Sequence, residues 1–452
     1  MTRSARPRGP LTSAANRARR RILLRMLTAL LGATLALAGG IPAALADPTT
    51  DEESSPSVYS ATGQDIEGGG SLAQAALVAP GIYRDTFERG GAQEYEPGTT
   101  KYYRITVEDG QRVHAAATIA AAPYPGGVPE DYSSLGIELS YLTAGGDACD
   151  DGGTTDIGEA ITGDGPITTT AVSDVVGPDG CTGGELFLQV TRTGMRSSED
   201  PLPVEIQVAL QPPGIGGGSP SVEEEIEDSG ASPVAPEDTA PITLGRSFAG
   251  ATPLEPGSSV VELAPGETGL ARIEVQEGQR LRWRTEVISQ PEGDAGYVAL
   301  RTFDAARAQV TVGGGSWPLS TADTVAGGGM VAPVDRGNRS SELDTVQSAW
   351  LPGTHTIQLQ RPQRTVEADP AGDGPVTLIL TLEVEGEVAK DAADGTVLEL
   401  GETTSTAGAG GGLFGGQGGL GRVAMIAGAG LLTVMALVSG VAGALVLRLR
   451  RN

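Results

Sequence analysis

The sequence contains few of the residues that most often carry chemistry. Its 452 residues include two cysteines and two histidines, and aromatic residues make up 4% of the chain. So few cysteines and histidines exclude a disulfide-rich scaffold and a metal centre built from His and Cys. Basic residues are also scarce, with 31 Lys and Arg against 57 Asp and Glu. This balance argues against nucleic acid as a partner, because phosphate binding needs clustered Lys and Arg.

Familiar catalytic patterns are missing as well. The sequence has no Gly-x-Ser-x-Gly elbow and no His-Glu-x-x-His motif. We expect His114 and His355 to be structural, and we predict no catalytic, cofactor-binding or metal-binding residue. Paired carboxylates meet only in a fold, so an unrecognised envelope hydrolase stays an alternative.

The N-terminus has the composition of an export signal. Residues 1–46 contain eight arginines and no acidic residue, and an apolar run extends from Met26 to Ala38. The small-x-small pattern Ala44-Leu45-Ala46 follows. This order is typical of a cleaved secretory signal peptide. Both the Sec route and the twin-arginine route are compatible with it.

The C-terminus predicts a membrane anchor. Residues 423–447 carry no charge, and this stretch is long enough for a transmembrane helix in contact with membrane lipid. Three arginines follow in the short tail 448–452, and positive flanks of this kind stay in the cytoplasm. We therefore predict a single-pass protein of the cell membrane with its bulk outside the cell. Without the arginines of the two ends, the net charge of −26 becomes −37 for the outer part.

Shifts in composition divide the outer part. Three stretches rich in Gly, Pro or acidic residues indicate linkers, namely residues 47–76, 211–240 and 386–422. Two segments lie between them, residues 77–210 and 241–385. We predict one domain for each segment.

The two segments repeat each other. Residues 97–113 align without a gap to residues 265–281, and nine of the 17 positions are identical. Near the segment ends, three residues match at an offset of 169: Gly184, Gln189 and Arg192 with Gly353, Gln358 and Arg361. This shared register indicates an internal duplication.

Apolar residues in both segments alternate with a period of two. Tyr103, Ile105 and Val107 fall on one face, and Gly-containing turns separate such runs. This pattern is typical of antiparallel strands with one buried face. We predict an all-β protein with two tandem antiparallel β-sandwich domains and one C-terminal transmembrane helix.

The repeated motif resembles the bacterial pre-peptidase C-terminal domain. The resemblance rests on the turn Pro97-Gly98-Thr99-Thr100, the strand residues Tyr103-Arg104-Ile105 and the following Gly110-Gln111-Arg112, with a later strand from Gly184 to Val190. It implies a jelly-roll-like β-sandwich of secreted bacterial proteins, some of which bind calcium or polysaccharide. The opening Gly81–Thr86 resembles secreted actinobacterial proteins, some with von Willebrand A domains.

The two cysteines lie in the exported part. An isolated pair in an oxidising compartment usually bonds, so we predict a disulfide between Cys149 and Cys181, with two separate thiols as the alternative. Asp147, Asp150 and Asp151 surround Cys149 without the spacing of an EF-hand. We interpret them as a solvated acidic loop.

One basic ladder stands out in the acidic chain. Arg280, Arg282 and Arg284 recur at a spacing of two, so they share one face of a strand. They are candidates for contact with an anionic polymer or an acidic partner, or for pairing with glutamates of neighbouring strands. Trp317 and Trp350 lie near turns, where an aromatic ring either stacks on a sugar or caps the end of a sandwich.

These observations favour a non-catalytic surface protein, a membrane-anchored binding or assembly subunit. We expect an envelope protein as partner, with a von Willebrand A domain protein as one candidate, and no cofactor. A protein that binds the cell wall or a polysaccharide is the alternative.

Overall fold

The structure is a computed structural model. It describes residues 58–401 apart from 94–95, 125, 129–133, 151–164, 179–180, 197–199, 223–232, 235–238, 294, 311–315, 319–324 and 391–396. The predicted signal peptide and membrane anchor lie outside the described residues. No helix within the described ranges is long and apolar enough to cross a membrane.

Strands form most of the regular structure. The first half contains β1 (Gln64–Asp65), β2 (Ala76–Val78), β3 (Gly81–Phe87), β4 (Pro97–Thr106), β5 (Arg112–Ile119), β6 (Gly136–Leu142), β7 (Ile167–Val172), β8 (Glu185–Thr193) and β9 (Leu202–Gln211). The second half contains β10 (Ala240–Pro241), β11 (Thr252–Pro253), β12 (Gly257–Leu263), β13 (Thr268–Val275), β14 (Arg280–Ser289), β15 (Tyr297–Phe303), β16 (Ser316–Pro318), β17 (Val325–Gly329), β18 (Gly353–Gln360) and β19 (Val376–Glu385). One helical turn, α1 (Asp344–Gln347), and 3₁₀ turns at Leu72–Gln74, Arg336–Ser340 and Pro370–Gly372 join them.

Each half is a sandwich of two mainly antiparallel sheets. In the described residues of the first, the sheets have the orders β1-β3-β9-β5-β7 and β2-β4-β8-β6. The second has the orders β10-β12-β19-β14-β17 and β11-β13-β18-β15-β16. The two orders correspond strand for strand, apart from the additional β16. The all-β prediction and its two-sheet sandwiches are therefore confirmed.

The alternation of apolar residues builds the two cores. Tyr103, Ile105 and Val107 are buried in the first core, as their spacing predicts, and Trp283 is buried in the second. Arg192 and Arg361 are also fully buried, at the ends of β8 and β18. Each donates to carbonyl oxygens in its own sandwich, Phe87 and Asp200 in the first and Leu263 and Gly374 in the second.

The sandwiches extend beyond the predicted domain boundaries. Residues 64–65 and 76, assigned from composition to an acidic linker, lie in the edge strands β1 and β2. Ser221, in the predicted middle linker, donates from its backbone N–H to Asn338 Oδ1 at 2.8 Å. Glu399, in the predicted Gly-rich linker, exchanges two backbone hydrogen bonds with Leu210 of β9. Composition misses these contacts because short edge segments obtain their stability from neighbouring strands.

Candidate functional site

The outer face of the β5–β9 pair is covered. Along each strand the core-facing residues alternate with residues that point away from the first core, and these outer residues are buried as well. They are His114, Thr118, Glu205, Gln207, Ala209 and Gln211. Four of them, His114, Glu205, Gln207 and Ala209, contact residues of the second sandwich, and we call this contact the junction.

A buried ion pair lies in the junction. Glu205 is fully buried and accepts a 2.6 Å contact from the guanidinium of Arg307, which is 3% exposed. Tyr59 and Thr62 donate hydroxyl hydrogen bonds to the same carboxylate at 3.0 and 2.7 Å. The Arg307 guanidinium also lies 4.5 Å from the centre of the Phe248 ring. These partners compensate the carboxylate for the water it loses on burial.

An aromatic contact lies beside the ion pair. The imidazole of His114 stacks on the indole of Trp350, with centroids 5.5 Å apart and planes at 24°. Its Nε2 is 2.8 Å from Gln211 Oε1. Burial, with the charge of Arg339, lowers the pKa of His114 to about 3. His114 is therefore neutral at pH 7, and Trp350 packs in a small apolar cluster with Ala209 and Ala306.

The loop that carries Arg307 is a tight turn. The Asp304 carboxylate accepts from the backbone N–H groups of Ala306 and Ala308 at 2.8 and 2.9 Å. Burial raises the pKa of Asp304 to about 7. Arg307 has a positive φ of 63°, which aims its side chain at Glu205. The Ala305 carbonyl accepts a 2.9 Å hydrogen bond from Gln207 Nε2.

A cleft of about 370 Å³ opens next to the junction. Its polar lining includes Glu274, Glu277 and Arg336, and Val397, Leu398 and Leu400 contribute apolar lining. Arg336 pairs with Glu277 at 3.4 Å. Within the described part of the chain, no three His, Cys, Asp or Glu side chains are grouped to hold a metal ion.

The predicted disulfide is confirmed. Cys149 and Cys181 are bonded, with Cα atoms 5.5 Å apart, at the end of the first sandwich. Asp147 is exposed nearby, and Asp150 accepts from the Tyr141 backbone N–H at 2.7 Å. Asp151 lies outside the described residues.

The arginine ladder lies on the outer face of β14. Arg280 and Arg282 pair with Glu385 of β19 at 2.7 and 3.1 Å, and Arg284 pairs with Glu286 at 2.7 Å. Glu385 belongs to the neighbouring strand β19, as the pairing alternative predicts, whereas Glu286 is on β14 itself.

The second histidine is buried in its own sandwich. His355 Nδ1 is 3.1 Å from the Gly353 carbonyl, and burial lowers its pKa to about 4. The side chain of Trp317 lies outside the described residues.

Sequence reasoning missed the ion pair of the junction. Glu205 and Arg307 are 102 positions apart in a chain with many charged residues. One feature of the sequence does indicate a covered surface. On the outer face of β5 and β9, the neighbours of Glu205 are uncharged His, Ala, Thr and Gln residues. The equivalent face of the second copy carries Arg280, Arg282 and Arg284. A nearly uncharged outer face predicts a covered one.

Comparison with known proteins identifies no family. No family model and no curated protein match the chain. Among solved structures, it is similar to the N-terminal CBM22-1–CBM22-2 tandem domain of Paenibacillus barcinonensis Xyn10C, with 11% identity, a TM-score of 0.20, and 74% of this chain and 99% of that chain covered. It is also similar to the CUB1-EGF-CUB2 domain of human MASP-1/3, with 9% identity, a TM-score of 0.14, and coverage of 66% and 99%.

A third similarity is to the ANX2 ectodomain of Arabidopsis thaliana. The identity is 9%, the TM-score is 0.17, and 66% of this chain and 83% of that chain are covered. TM-scores this low do not establish a shared fold or function. The fold therefore rests on the strands themselves, and the resemblance to the pre-peptidase C-terminal domain stays a prediction.

Proposed function

We propose that this protein is a non-catalytic assembly subunit of the cell envelope, anchored in the membrane through residues 423–447. The observation that supports this function is the junction between the two sandwiches. A buried ion pair and a stacked ring pair join the two sandwiches, so their outer surfaces are held at a constant spacing. A subunit that organises other proteins needs such spacing.

The histidines support a binding role over a hydrolytic one. His114 is engaged with Trp350 and Gln211, and His355 with the Gly353 carbonyl. Burial keeps both rings neutral at pH 7. A general base needs access to a substrate, and these two rings are within packed interfaces.

Photo-crosslinking in intact cells tests the assembly function. A photoreactive residue replaces Val388, which is 51% exposed, in the full chain, and a matched chain carries it at Leu380, which is 1% exposed. We expect an envelope protein to be captured from the exposed position alone. Several further exposed positions, Leu77 and Val366 among them, extend the scan. If none captures an envelope protein, the assembly function is wrong.

Binding of a wall polysaccharide is the second candidate function. The cleft favours it, because Glu274, Gln276 and Thr354 place carboxylate, amide and hydroxyl groups along one opening. Retention of the full chain on purified cell wall, with Gln276→Ala as the variant, tests it. Equal retention of both proteins contradicts a polysaccharide site in the cleft.

A further inference from the structure

Lysine is rare in this chain, and one of its two lysines is buried. The 31 basic residues comprise 29 arginines together with Lys101 and Lys390. Lys390 is exposed, whereas Lys101, on β4, is buried. Among the described residues, the other buried cationic side chains are arginines, so pairing with a buried carboxylate does not by itself require lysine. Lysine differs in its amine, which can lose a proton and act as a nucleophile.

The carboxylate of Asp85 lies against this amine. Lys101 Nζ is 2.8 Å from Asp85 Oδ1, and the two side chains are 8% and 3% exposed. Nζ also lies 5.5 Å from the centre of the Phe87 ring. Asp85 belongs to β3 and Lys101 to β4, which are strands of different sheets. An amine and a carboxyl group are therefore held in contact between the two sheets, in a place from which water is largely excluded.

The other oxygen of Asp85, Oδ2, accepts from two donors. The Tyr103 hydroxyl donates to it at 2.6 Å, and the Gly68 backbone N–H donates at 2.7 Å. Burial, followed by the charge of Asp85, raises the pKa of Tyr103, so its hydroxyl stays protonated. Gly68 approaches closely because it has no side chain, since a Cβ atom there would lie 2.7 Å from the Tyr103 ring. Two donors on one oxygen stabilise the negative charge that develops there during acyl transfer.

The equivalent positions of the second sandwich carry no ionisable group. Strand register identifies these positions, and their residues are Val261 for Asp85, Gly269 for Lys101 and Ala271 for Tyr103. The second sandwich nevertheless has the same strand order and its own packed core. A sandwich of this kind therefore folds without the buried pair. The amine, the carboxylate and the hydroxyl are present together in one copy and absent together in the other, as expected of groups that act together.

We propose that the side chains of Lys101 and Asp85 become joined by an amide bond, an intramolecular isopeptide crosslink between the two sheets of the first sandwich. One ammonium proton passes from Nζ to Asp85 Oδ1 across their contact, which leaves a neutral amine beside a neutral carboxyl group. Nζ then attacks Cγ, and Oδ2 carries the negative charge of the tetrahedral intermediate. Glu88, whose Oε1 is 3.5 Å from Nζ, takes a second proton from Nζ and delivers it to Oδ1.

The reaction balances without a further reactant. The Nζ–Cγ bond forms, the Cγ–Oδ1 bond breaks, and Oδ1 leaves as water with two protons that came from the amine. Two features favour the amide: the fixed contact replaces an encounter of separate groups, and the product lacks the two buried charges, whose burial costs free energy. The crosslink is independent of the assembly function, because it needs only the first sandwich.

The intact mass of the full chain tests the proposal. The chain is purified in detergent, reduced so that its disulfide does not contribute, and compared with Lys101→Arg, which keeps the charge and lacks a nucleophilic amine. We expect the unchanged chain to be lighter by one water molecule after correction for the substitution, and its digest to contain a branched peptide that joins Lys101 to Asp85. Equal corrected masses overturn the proposal. A loss of water located elsewhere instead, such as a succinimide at Asp109-Gly110, overturns it as well.

Two further variants locate the reaction. Lys390→Arg is the matched control, because it removes the exposed lysine, and it should lose the water molecule as the unchanged chain does. Glu88→Gln should slow the loss of water at least tenfold after a pulse of synthesis, because it removes the group that transfers the second proton. Glu88 is 62% exposed, so this replacement leaves the fold intact. Retention of the water molecule by Lys390→Arg, or an unchanged rate in Glu88→Gln, contradicts the reaction.

Discussion

At the scale of single residues, the junction depends on one buried carboxylate. Glu205 has no exposed surface, and its charge is balanced by Arg307 and by two hydroxyl donors. Removing one partner of a buried ion pair leaves the other charge without compensation, which costs far more than losing an exposed pair.

Glu205→Gln should therefore lower the free energy of unfolding by about 3 kcal/mol, because Arg307 stays buried and loses its counter-charge. Urea unfolding of the full chain measures the change. Glu185→Gln is the control, since Glu185 pairs with Arg104 at 3.3 Å with both side chains exposed, and it should cost less than about 1 kcal/mol. Equal losses of unfolding free energy for the two variants would contradict a special contribution of the Glu205–Arg307 pair to stability.

The pH dependence of stability should reflect His114. Burial lowers its pKa from 6.5 to about 3, so the folded state resists protonation that the unfolded chain accepts. Stability present above pH 6.5 is then lost as the pH falls toward 3. Between pH 7 and pH 5, we expect the unchanged chain to lose about 2 kcal/mol more than His114→Gln.

Asp304 titrates in the opposite direction, because its raised pKa stabilises the folded state as the pH falls from 7. It is present in both proteins, so its contribution cancels in the comparison. Parallel stability curves for the two proteins between pH 7 and pH 5 would contradict a buried neutral His114.

At the scale of elements, alternation predicts the strands well. Tyr103, Ile105 and Val107 point inward because a strand turns successive side chains to opposite faces. Alternation says nothing about what covers the outer face, so the junction was missed. The edge strands β1 and β2 were missed because they are only two and three residues long.

The disulfide belongs to this scale, because it joins two loops at the end of the first sandwich. Its cysteines are 32 positions apart, and closing a loop of that length contributes about 3–4 kcal/mol by the chain-entropy model. We expect the double variant Cys149→Ser, Cys181→Ser to have a free energy of unfolding lower by about 3–4 kcal/mol, and therefore a lower urea midpoint. An unchanged midpoint would indicate that neighbouring contacts already hold the two loops.

At the scale of the whole molecule, the two sandwiches share one strand order and are joined by the junction. The sequence repeat predicts two similar domains. It could not predict their contact, since Glu205 and Arg307 have no charged equivalents in the other copy.

The central claim is that the two sandwiches unfold as one cooperative unit. Hydrogen exchange of the full chain, followed by mass spectrometry in low urea, measures this directly. We predict that β5 and β14 exchange through one common opening, and that Glu205→Gln speeds exchange in both. Independent opening of β5 and β14, with Glu205→Gln affecting neither, would contradict the claim.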